Sequence, residues 1–228
     1  MNRIEKFFRS RNPEYRPRWE AYNTLLAASL SREKVWYDIG CGANEFVEEF
    51  GSLAGRSLGI DRAVHPGMTN APFLQAPAGE IPLPSRSADL ITLRMVVEHF
   101  EHYPDDIAEI HRLLKPGGLL IVMTTNALSP IVFVPRLIPF RLKEWIIRKL
   151  FRVDSSDVYP TYHRFNTPGK FAKGFGVFHL QRLEYLEQIS PVRPVLTLLF
   201  GLWYVLTKPR AFQPLRSNIL AVFQQPVP

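Results

Sequence analysis

The chain of 228 residues falls in the size range of one α/β domain and can bury a substantial apolar core. Hydrophobic residues make up 46% and charged residues 21%, which excludes a wholly disordered chain, and the single cysteine excludes an intrachain disulfide. The net charge of +7 favours contact with nucleic acid, anionic lipid or acidic substrates. The sequence shows neither the apolar run of a secretory signal nor the roughly 20 apolar residues of a spanning helix. We therefore expect a cytoplasmic protein, and leave peripheral association with a membrane open.

Strands alternate with helices along the chain. A helix is predicted from Trp19 to Leu30, within an N-terminal helical extension over residues 1–33. A further helix is expected where Asp105 or Asp106 can cap its start. The predicted strands are Val35–Ile39, Ser57–Asp61, Phe73–Gln75, Asp89–Leu93, Leu119–Met123, Gly176–Leu180 and Asn218–Phe223. This order predicts a single α/β domain over residues 1–228, with a Rossmann-like, doubly wound, mostly parallel sheet of seven strands.

Two insertions interrupt this alternation, after the fifth and the sixth strand. Residues 130–165 mix cations with large apolar side chains, as an interfacial helix or a lid does. Residues 190–210 contain the apolar run Val195–Leu206, which is too short to span a bilayer comfortably. A lid over an acceptor pocket, contact with an anionic membrane surface and a homodimer interface would each account for such insertions.

Two glycines follow the first predicted strand, in the segment Asp38-Ile39-Gly40-Cys41-Gly42-Ala43-Asn44. Glycine suits a chain that turns sharply from strand to helix while a ligand approaches its backbone, because a side chain would obstruct both. Amide groups at the start of the following helix can bind a carboxylate. Asp61 ends the second strand about twenty residues later, where its carboxylate can accept hydrogen bonds from both ribose hydroxyls. The spacing predicts a nucleoside-binding β-α-β unit.

At these residues the sequence resembles the class I S-adenosylmethionine-dependent methyltransferases, and in particular their small-molecule and quinone branch. The resemblance extends from roughly Lys34 to Asn126. Its motifs are matched by Asp38-x-Gly40-x-Gly42, by Asp61 as the ribose-binding acid, by Ala88–Ile91 and by Leu114–Leu120. The resemblance implies that S-adenosylmethionine is the methyl donor. The residues it assigns to the donor near the glycine loop are Asp38, Gly40, Gly42, Asn44 and Asp61.

The resemblance also implies that Ala78, Gly79 and Glu80 lie near the adenine. Two positions depart from the family pattern. Asn44 stands where many members have a third glycine, and Pro77 stands where many have an acidic adenine contact, which puts the cofactor affinity in question. A nicotinamide dehydrogenase is disfavoured, because its fingerprint needs glycine at the position of Glu45 and an acid there would repel a pyrophosphate.

Residues for the methyl acceptor are expected at the carboxyl ends of the fourth and fifth strands. In relatives, the segment resembling Arg94–Phe100 borders both cofactor and acceptor. His99 is a candidate base, with a structural histidine as the alternative. Arg94 is grouped with the cofactor residues, although it can equally anchor an acidic substrate or pair with a carboxylate, and Glu98 is expected to be structural or solvated. For Asn126, substrate contact and loop capping are both open.

A second cluster precedes the sixth strand, in residues 159–165. It resembles a His-containing segment of quinone and small-molecule methyltransferases. The resemblance assigns Tyr162 or His163 as a base and Arg164 as an anchor for an anionic acceptor, while packing of the insertion onto the sheet is the alternative. No Cys/His spacing suits zinc, so no metal is expected.

The sequence thus predicts methyl transfer from S-adenosylmethionine to an oxygen or carbon of a small acceptor that is lipophilic in character, with oxygen slightly preferred. Two alternatives stay open. One is an RNA-modifying methyltransferase, which the positive charge favours but for which no RNA-binding module is recognised. The other is a non-catalytic protein that binds cofactor or lipid with the same fold.

Overall fold

The structure, a computed structural model, describes residues 3–137, 166–189 and 194–227. Its strands are β1 (Val35–Ile39), β2 (Arg56–Asp61), β3 (Phe73–Gln75), β4 (Ala88–Arg94), β5 (Leu114–Thr125), β6 (His179–Leu186) and β7 (Asn218–Gln224). They form one sheet in the order β3-β2-β1-β4-β5-β7-β6. Only β7 runs against its described neighbours, β5 and β6. The predicted fold class, a mostly parallel sheet of seven strands, is confirmed.

Helices connect these strands. They are α1 (Arg3–Arg11), α2 (Arg18–Ser29), α3 (Glu45–Phe50), α4 (Tyr103–Leu113), α5 (Pro130–Leu137), α6 (Pro168–Gly174) and α7 (Pro194–Leu206), with 3-10 helices at Gly51–Leu53, Val97–His99 and Arg210–Leu215. Of the insertion predicted over residues 130–165, the structure describes α5 alone. The insertion predicted over residues 190–210 contains α7.

The sheet is covered on both faces, as the apolar sequence of β5 requires. Alternate residues of a strand point to opposite faces. Leu120 and Val122 therefore belong to the core cluster that includes residues of α4 and α6. Ile121 and Met123 belong to the second cluster, which includes residues of α2 and α3.

Most predicted elements appear where the pattern placed them, but two predictions were wrong. The fourth helix begins at Tyr103 with His102 as its cap, so that Asp105 and Asp106 lie inside the first turn, where a negative charge still favours a helix. The sixth strand starts at His179 instead of Gly176. The apolar residues before it form a turn, in which the Phe178 amide donates to the Phe175 carbonyl and both rings enter the core.

The loop between β1 and α3 is held against the rest of the sheet by Asn44. Its side-chain amide donates to the carbonyls of Ala71 and Pro72, at 3.1 Å each, in the segment leading into β3. This contact requires a bare backbone in β2, because a Cβ at Gly59 would lie 1.9 Å from Asn44 Oδ1. The absence of a side chain at Gly59 thus leaves room for the Asn44 side chain, whose hydrogen bonds hold the loop in position.

We expect Gly59→Ala to lower the free energy of unfolding by about 1–3 kcal/mol, because the added methyl group displaces Asn44 from its two carbonyls. Urea unfolding followed by circular dichroism measures this change. The matched control is Gly169→Ala in α6, where an added Cβ meets nothing within 4 Å. Equal stability of the two variants would contradict the role given to Gly59.

Candidate functional site

The turn after β1 has the conformation that its glycines predict. Gly40 and Gly42 have φ angles of +73° and +59°, which side-chain-bearing residues rarely adopt. A Cβ at Gly40 would come within 2.2 Å of Val96, so this glycine is also required by packing. A Cβ at Gly42 would meet nothing within 4 Å. The backbone at Gly42 therefore faces open space in which a ligand can approach it.

Asp38 lies beneath this turn and is 1% exposed. The Trp36 indole donates to Thr92 Oγ1 at 2.9 Å, and the Thr92 hydroxyl donates to Asp38 Oδ1 at 2.6 Å. The second oxygen, Asp38 Oδ2, finds no hydrogen-bond partner among the described residues. Burial raises the pKa of Asp38, whereas the charge of Arg94 and the Thr92 hydrogen bond lower it. The arrangement leaves one buried carboxylate oxygen available to a donor or a cation.

The positive charge of Arg94 lowers the pKa of the Asp38 carboxylate. Its guanidinium carbon lies 3.8 Å from the centre of the Phe46 ring and 6.0 Å from that of Trp19. Arg94 Nε has no hydrogen-bond partner among the residues that are described. Arg94 thus lies against the Phe46 ring of α3, and its Nε can still donate a hydrogen bond.

Asp61 stands at the carboxyl end of β2, as predicted, and its carboxylate is already engaged with the loop. Asp61 Oδ2 accepts the Gly42 amide at 2.9 Å, and Oδ1 accepts the Ala63 amide at 3.2 Å. The His65 Nε2 atom lies 3.2 Å from Oδ1. The two amides and the His65 ring therefore already engage both oxygens of this carboxylate, which ties Asp61 to the loop after β1.

Asn44 occupies the position of the missing third glycine with a φ of 65°, a value that asparagine tolerates better than most residues. Its side chain is fully buried and points to Ala71 and Pro72. The cofactor contact predicted for Asn44 is therefore corrected to a role in shaping the loop. Cys41 is also buried, and burial raises its pKa to about 12, so its thiol is unsuited to nucleophilic chemistry.

Ala78, Gly79 and Glu80 lie in the turn after β3, which packs on the start of α4. The Ile81 amide donates to Glu109 Oε1 at 2.8 Å, and a Cβ at Gly79 would lie 3.3 Å from Asp106 Oδ1. Burial raises the pKa of Asp106 to about 6, and the charge of Asp105 adds to this effect. Asp106 thus provides a carboxylate beside this turn, although Pro77 stands where many members of the family have an acidic residue.

A second hydrogen-bonded chain lies where β4 and β5 end. The Asn166 amide donates to Thr124 Oγ1 at 2.6 Å, and the Thr124 hydroxyl donates to Glu98 Oε2 at 2.7 Å. Glu98 is 3% exposed, and burial raises its pKa. Glu98 is therefore buried and bound by Thr124, and is not the solvated acid that was one of its two expectations. His99 follows it in the 3-10 helix Val97–His99 and is half-buried.

Asn126 is fully buried and serves the loop after β5. Its amide nitrogen donates to the carbonyls of Pro214 and Arg216 at 2.7 Å each, and its oxygen accepts the Leu128 amide at 3.0 Å. Both side-chain N–H groups are used, so the predicted substrate contact is replaced by loop capping. Tyr162, His163 and Arg164 lie outside the described residues.

Sequence reasoning missed Thr92, which binds Asp38, and placed Thr124 at the acceptor edge without its contact to Glu98. A hydroxyl within an otherwise apolar strand was the available signal, since a buried hydroxyl needs a partner. Among residues 3–137, 166–189 and 194–227, no three His, Cys, Asp or Glu side chains come together as a metal site.

Comparison with known proteins identifies the family. A family profile described as "Methyltransferase domain" matches residues 11–165. A curated relative, the ubiquinone/menaquinone biosynthesis C-methyltransferase UbiE of Pseudomonas fluorescens SBW25, is 28% identical over 134 residues, which are 50% of this chain and 52% of that protein. UbiE of Stutzerimonas stutzeri is 26% identical over 46% of each chain. The chain thus spans about half the length of these curated relatives.

Solved structures share the fold. A SAM-dependent methyltransferase from Methanosarcina mazei superposes with a TM-score of 0.59 at 15% identity, over 90% of this chain and 98% of that one. The [4+2]-cyclase SpnF also gives a TM-score of 0.59 at 15% identity, over 93% of this chain and 84% of that one. At such identity the likeness concerns the fold alone.

The raised pKa of Asp106 predicts a pH-dependent stability. A folded-state pKa of about 6, above the ordinary 3.8, favours the protonated acid in the folded protein. The stabilisation is present below about pH 4 and is lost as the pH rises through 6. Asp106→Asn should therefore match wild type in melting temperature at pH 4 and exceed it at pH 7.5.

The control for this prediction is Asp105→Asn, which removes an exposed carboxylate from the same helical turn. Its effect should be smaller at pH 7.5. An Asp106→Asn variant that melts no higher than wild type at that pH would contradict the buried, proton-binding state of Asp106.

Proposed function

The chain belongs to the class I S-adenosylmethionine-dependent methyltransferases, and from that membership we propose that it methylates an oxygen or carbon of a small, lipophilic acceptor. The observation that carries the donor assignment is the buried Asp38 carboxylate, whose Oδ2 has no hydrogen-bond partner among the described residues. It lies beneath a turn whose Gly42 backbone faces open space. This combination suits the ammonium and carboxylate groups of a bound amino acid.

The residues present fit the donor group by group. Asp38 Oδ2 would accept the ammonium group, and Asp61, at the carboxyl end of β2, would accept hydrogen bonds from the ribose hydroxyls. The turn at Ala78–Glu80, with Asp106 beside Gly79, would face the adenine. When bound, S-adenosylmethionine supplies a methyl group on a positively charged sulfur, a good leaving group.

The protein's remaining task is to position the acceptor and to remove its proton. We assign proton removal to His99, which the Val97–His99 helix holds at the carboxyl edge of β4. Buried Glu98 precedes it, and the charge of His99 contributes to the pKa of that acid. Tyr162, His163 and Arg164 remain proposals for the acceptor side on the sequence resemblance alone.

The lipophilic nature of the acceptor is supported by the curated relatives, whose names specify ubiquinone and menaquinone biosynthesis. Carbon is the acceptor atom in those names, whereas a hydroxyl is the acceptor that a histidine base serves most directly. An acceptor of this kind dissolves in a bilayer, so the enzyme would meet it at a membrane surface.

A second candidate function is binding or catalysis on this fold without methyl transfer. The structural neighbour SpnF, which is named a [4+2]-cyclase, is an example of a protein with this fold that has another printed activity. The departures at Asn44 and Pro77 are compatible with it, because both occur at the cofactor site. The two candidates differ in whether labelled methyl groups reach a product.

We expect Asp38→Asn to weaken binding of S-adenosylmethionine about tenfold or more, because the amide removes the negative charge and keeps the size of the side chain. Isothermal calorimetry measures the dissociation constant. The control is Asp89→Asn, which makes the same change at the start of β4, where Asp89 contacts Lys115 and the Val35 amide. Wild-type protein that gives no binding heat at millimolar donor would overturn the proposed function.

We expect His99→Gln to lower the turnover number about 100-fold while leaving donor affinity unchanged, because glutamine retains hydrogen bonding but cannot take a proton near neutral pH. The assay follows transfer of labelled methyl groups into lipid extract, aqueous extract and RNA, and mass spectrometry identifies the acceptor atom. His179→Gln, at an exposed position in β6, is the control. Full activity of His99→Gln would remove the proposed base, and label only in RNA would overturn the lipophilic acceptor.

A further inference from the structure

The outer face of α7 is apolar and exposed. Leu198, Leu199, Leu202, Val205 and Leu206 are between 44% and 62% exposed, and they follow the one-three-four spacing of a single helical stripe. They account for five of the fourteen large apolar side chains that are exposed among the described residues. Single exposed apolar residues are ordinary, but a stripe on one helix marks a contact surface. These five residues are called the α7 outer face below.

The opposite side of α7 is firmly packed, which explains why the stripe faces outward. Thr197, Gly201 and Tyr204 are buried. A Cβ at Gly201 would lie 3.2 Å from the Phe8 ring of α1, and the Tyr204 ring contacts Phe8 and Tyr15 edge to face at 5.6 Å and 5.0 Å. The helix therefore cannot bury the outer face by rolling without giving up this aromatic cluster.

The segments that border this apolar helix carry more cations than acids. α7 itself carries no charged side chain, whereas α1 has four cations and one acid, and the segment after α7 has cations at Lys208, Arg210 and Arg216. Lys208 pairs with Glu14 at 2.7 Å, and the Arg216 guanidinium lies 4.6 Å from the centre of the Tyr204 ring, so Arg210 is the exposed cation of this segment. An apolar stripe beside cations is complementary to a bilayer that contains anionic lipid, because the lipid supplies both the apolar phase and the negative charge.

The length of α7 fits a position in the plane of the membrane surface. Its 13 residues span about 20 Å, shorter than the hydrocarbon core of a bilayer. In the described part of the chain, no helix has the length and apolar character needed to cross a membrane.

α7 belongs to the connection at the edge of the sheet that carries the candidate site. In the sheet register, Thr125 at the end of β5 pairs with Asn218 at the start of β7, which pairs with Leu186 at the end of β6. The chain between Leu186 and Asn218, including α7, therefore connects two strand ends at that edge. Asn126 reinforces the connection through its hydrogen bonds to the Pro214 and Arg216 carbonyls.

We propose that the α7 outer face inserts into the surface of an anionic bilayer and docks the enzyme with its acceptor edge toward the lipid. The docking gives a lipophilic acceptor a route to the site, and in this respect it rests on the proposed function. The binding to lipid does not depend on methyl transfer and is measured without it.

The test is sedimentation of the full chain with vesicles of phosphatidylcholine alone and of phosphatidylcholine with 30% phosphatidylglycerol, at about 0.1 M and 0.5 M salt. Wild-type protein should bind the anionic vesicles at low salt and lose most of that binding at high salt. Leu199→Glu/Leu202→Glu should reduce the partition coefficient about tenfold or more, because two carboxylates enter the apolar contact. The matched control, Leu53→Glu/Val177→Glu, makes the same charge change at side chains that are 43% and 50% exposed elsewhere.

Three results would overturn the proposal. One is wild-type protein that does not bind anionic vesicles at low salt, and another is equal binding by the two double variants. The third is evidence that the face is covered by protein. Such evidence is a dimer in light scattering that Leu199→Glu/Leu202→Glu dissociates. It is equally a fall in the melting temperature of this variant well beyond that of the control, because the face would then be packed within the chain. Calorimetry with S-adenosylmethionine on the same variants separates this outcome from failure of the proposed function, since donor binding should persist in all of them.

Discussion

The direction of one hydrogen bond governs the candidate donor site. The Trp36 indole can only donate, so the Thr92 hydroxyl accepts from it and donates its own proton to Asp38 Oδ1, its shorter contact at 2.6 Å. One oxygen of Asp38 is thereby fixed, and the other is left without a partner among the described residues. A buried acceptor without a partner costs about 1–3 kcal/mol, which a cationic ligand recovers on binding. The unpartnered oxygen thus lowers the stability of the unliganded fold at the point where S-adenosylmethionine is expected to bind.

The same logic recurs where β4 and β5 end. The Asn166 amide donates to Thr124, which passes its proton to Glu98. In each chain a threonine in a buried strand connects a donor to a buried acid, and burial raises the pKa of both acids. The two acids differ in their surroundings. Asp38 lies under the open glycine turn, whereas Glu98 lies within the short helix Val97–His99 and is bound by Thr124.

Features that depend on spacing along the chain could be predicted from the sequence. The glycine turn, the acid at the end of β2 and the alternation of strands and helices along the chain follow from periodicity and from a separation of about twenty residues. Asn44 could not be interpreted in this way, because its partners, Ala71 and Pro72, are 27 and 28 residues away. Asn126 was ambiguous for the same reason, since 88 and 90 residues separate it from the two carbonyls it binds.

Periodicity also fails to say which way a stripe faces. The segment from Phe175 to Phe178 is apolar enough for a strand but forms a turn, from which the two phenylalanine rings reach the core. In α7 the apolar run contains an inner side that packs on α1 and an outer side that does not. The outer side chains are exposed in the folded and the unfolded chain alike, so they add little to the free energy of unfolding. That apolar surface contributes binding free energy only when a partner outside the described fold covers it. The cations in the neighbouring segments favour a partner with negative charge.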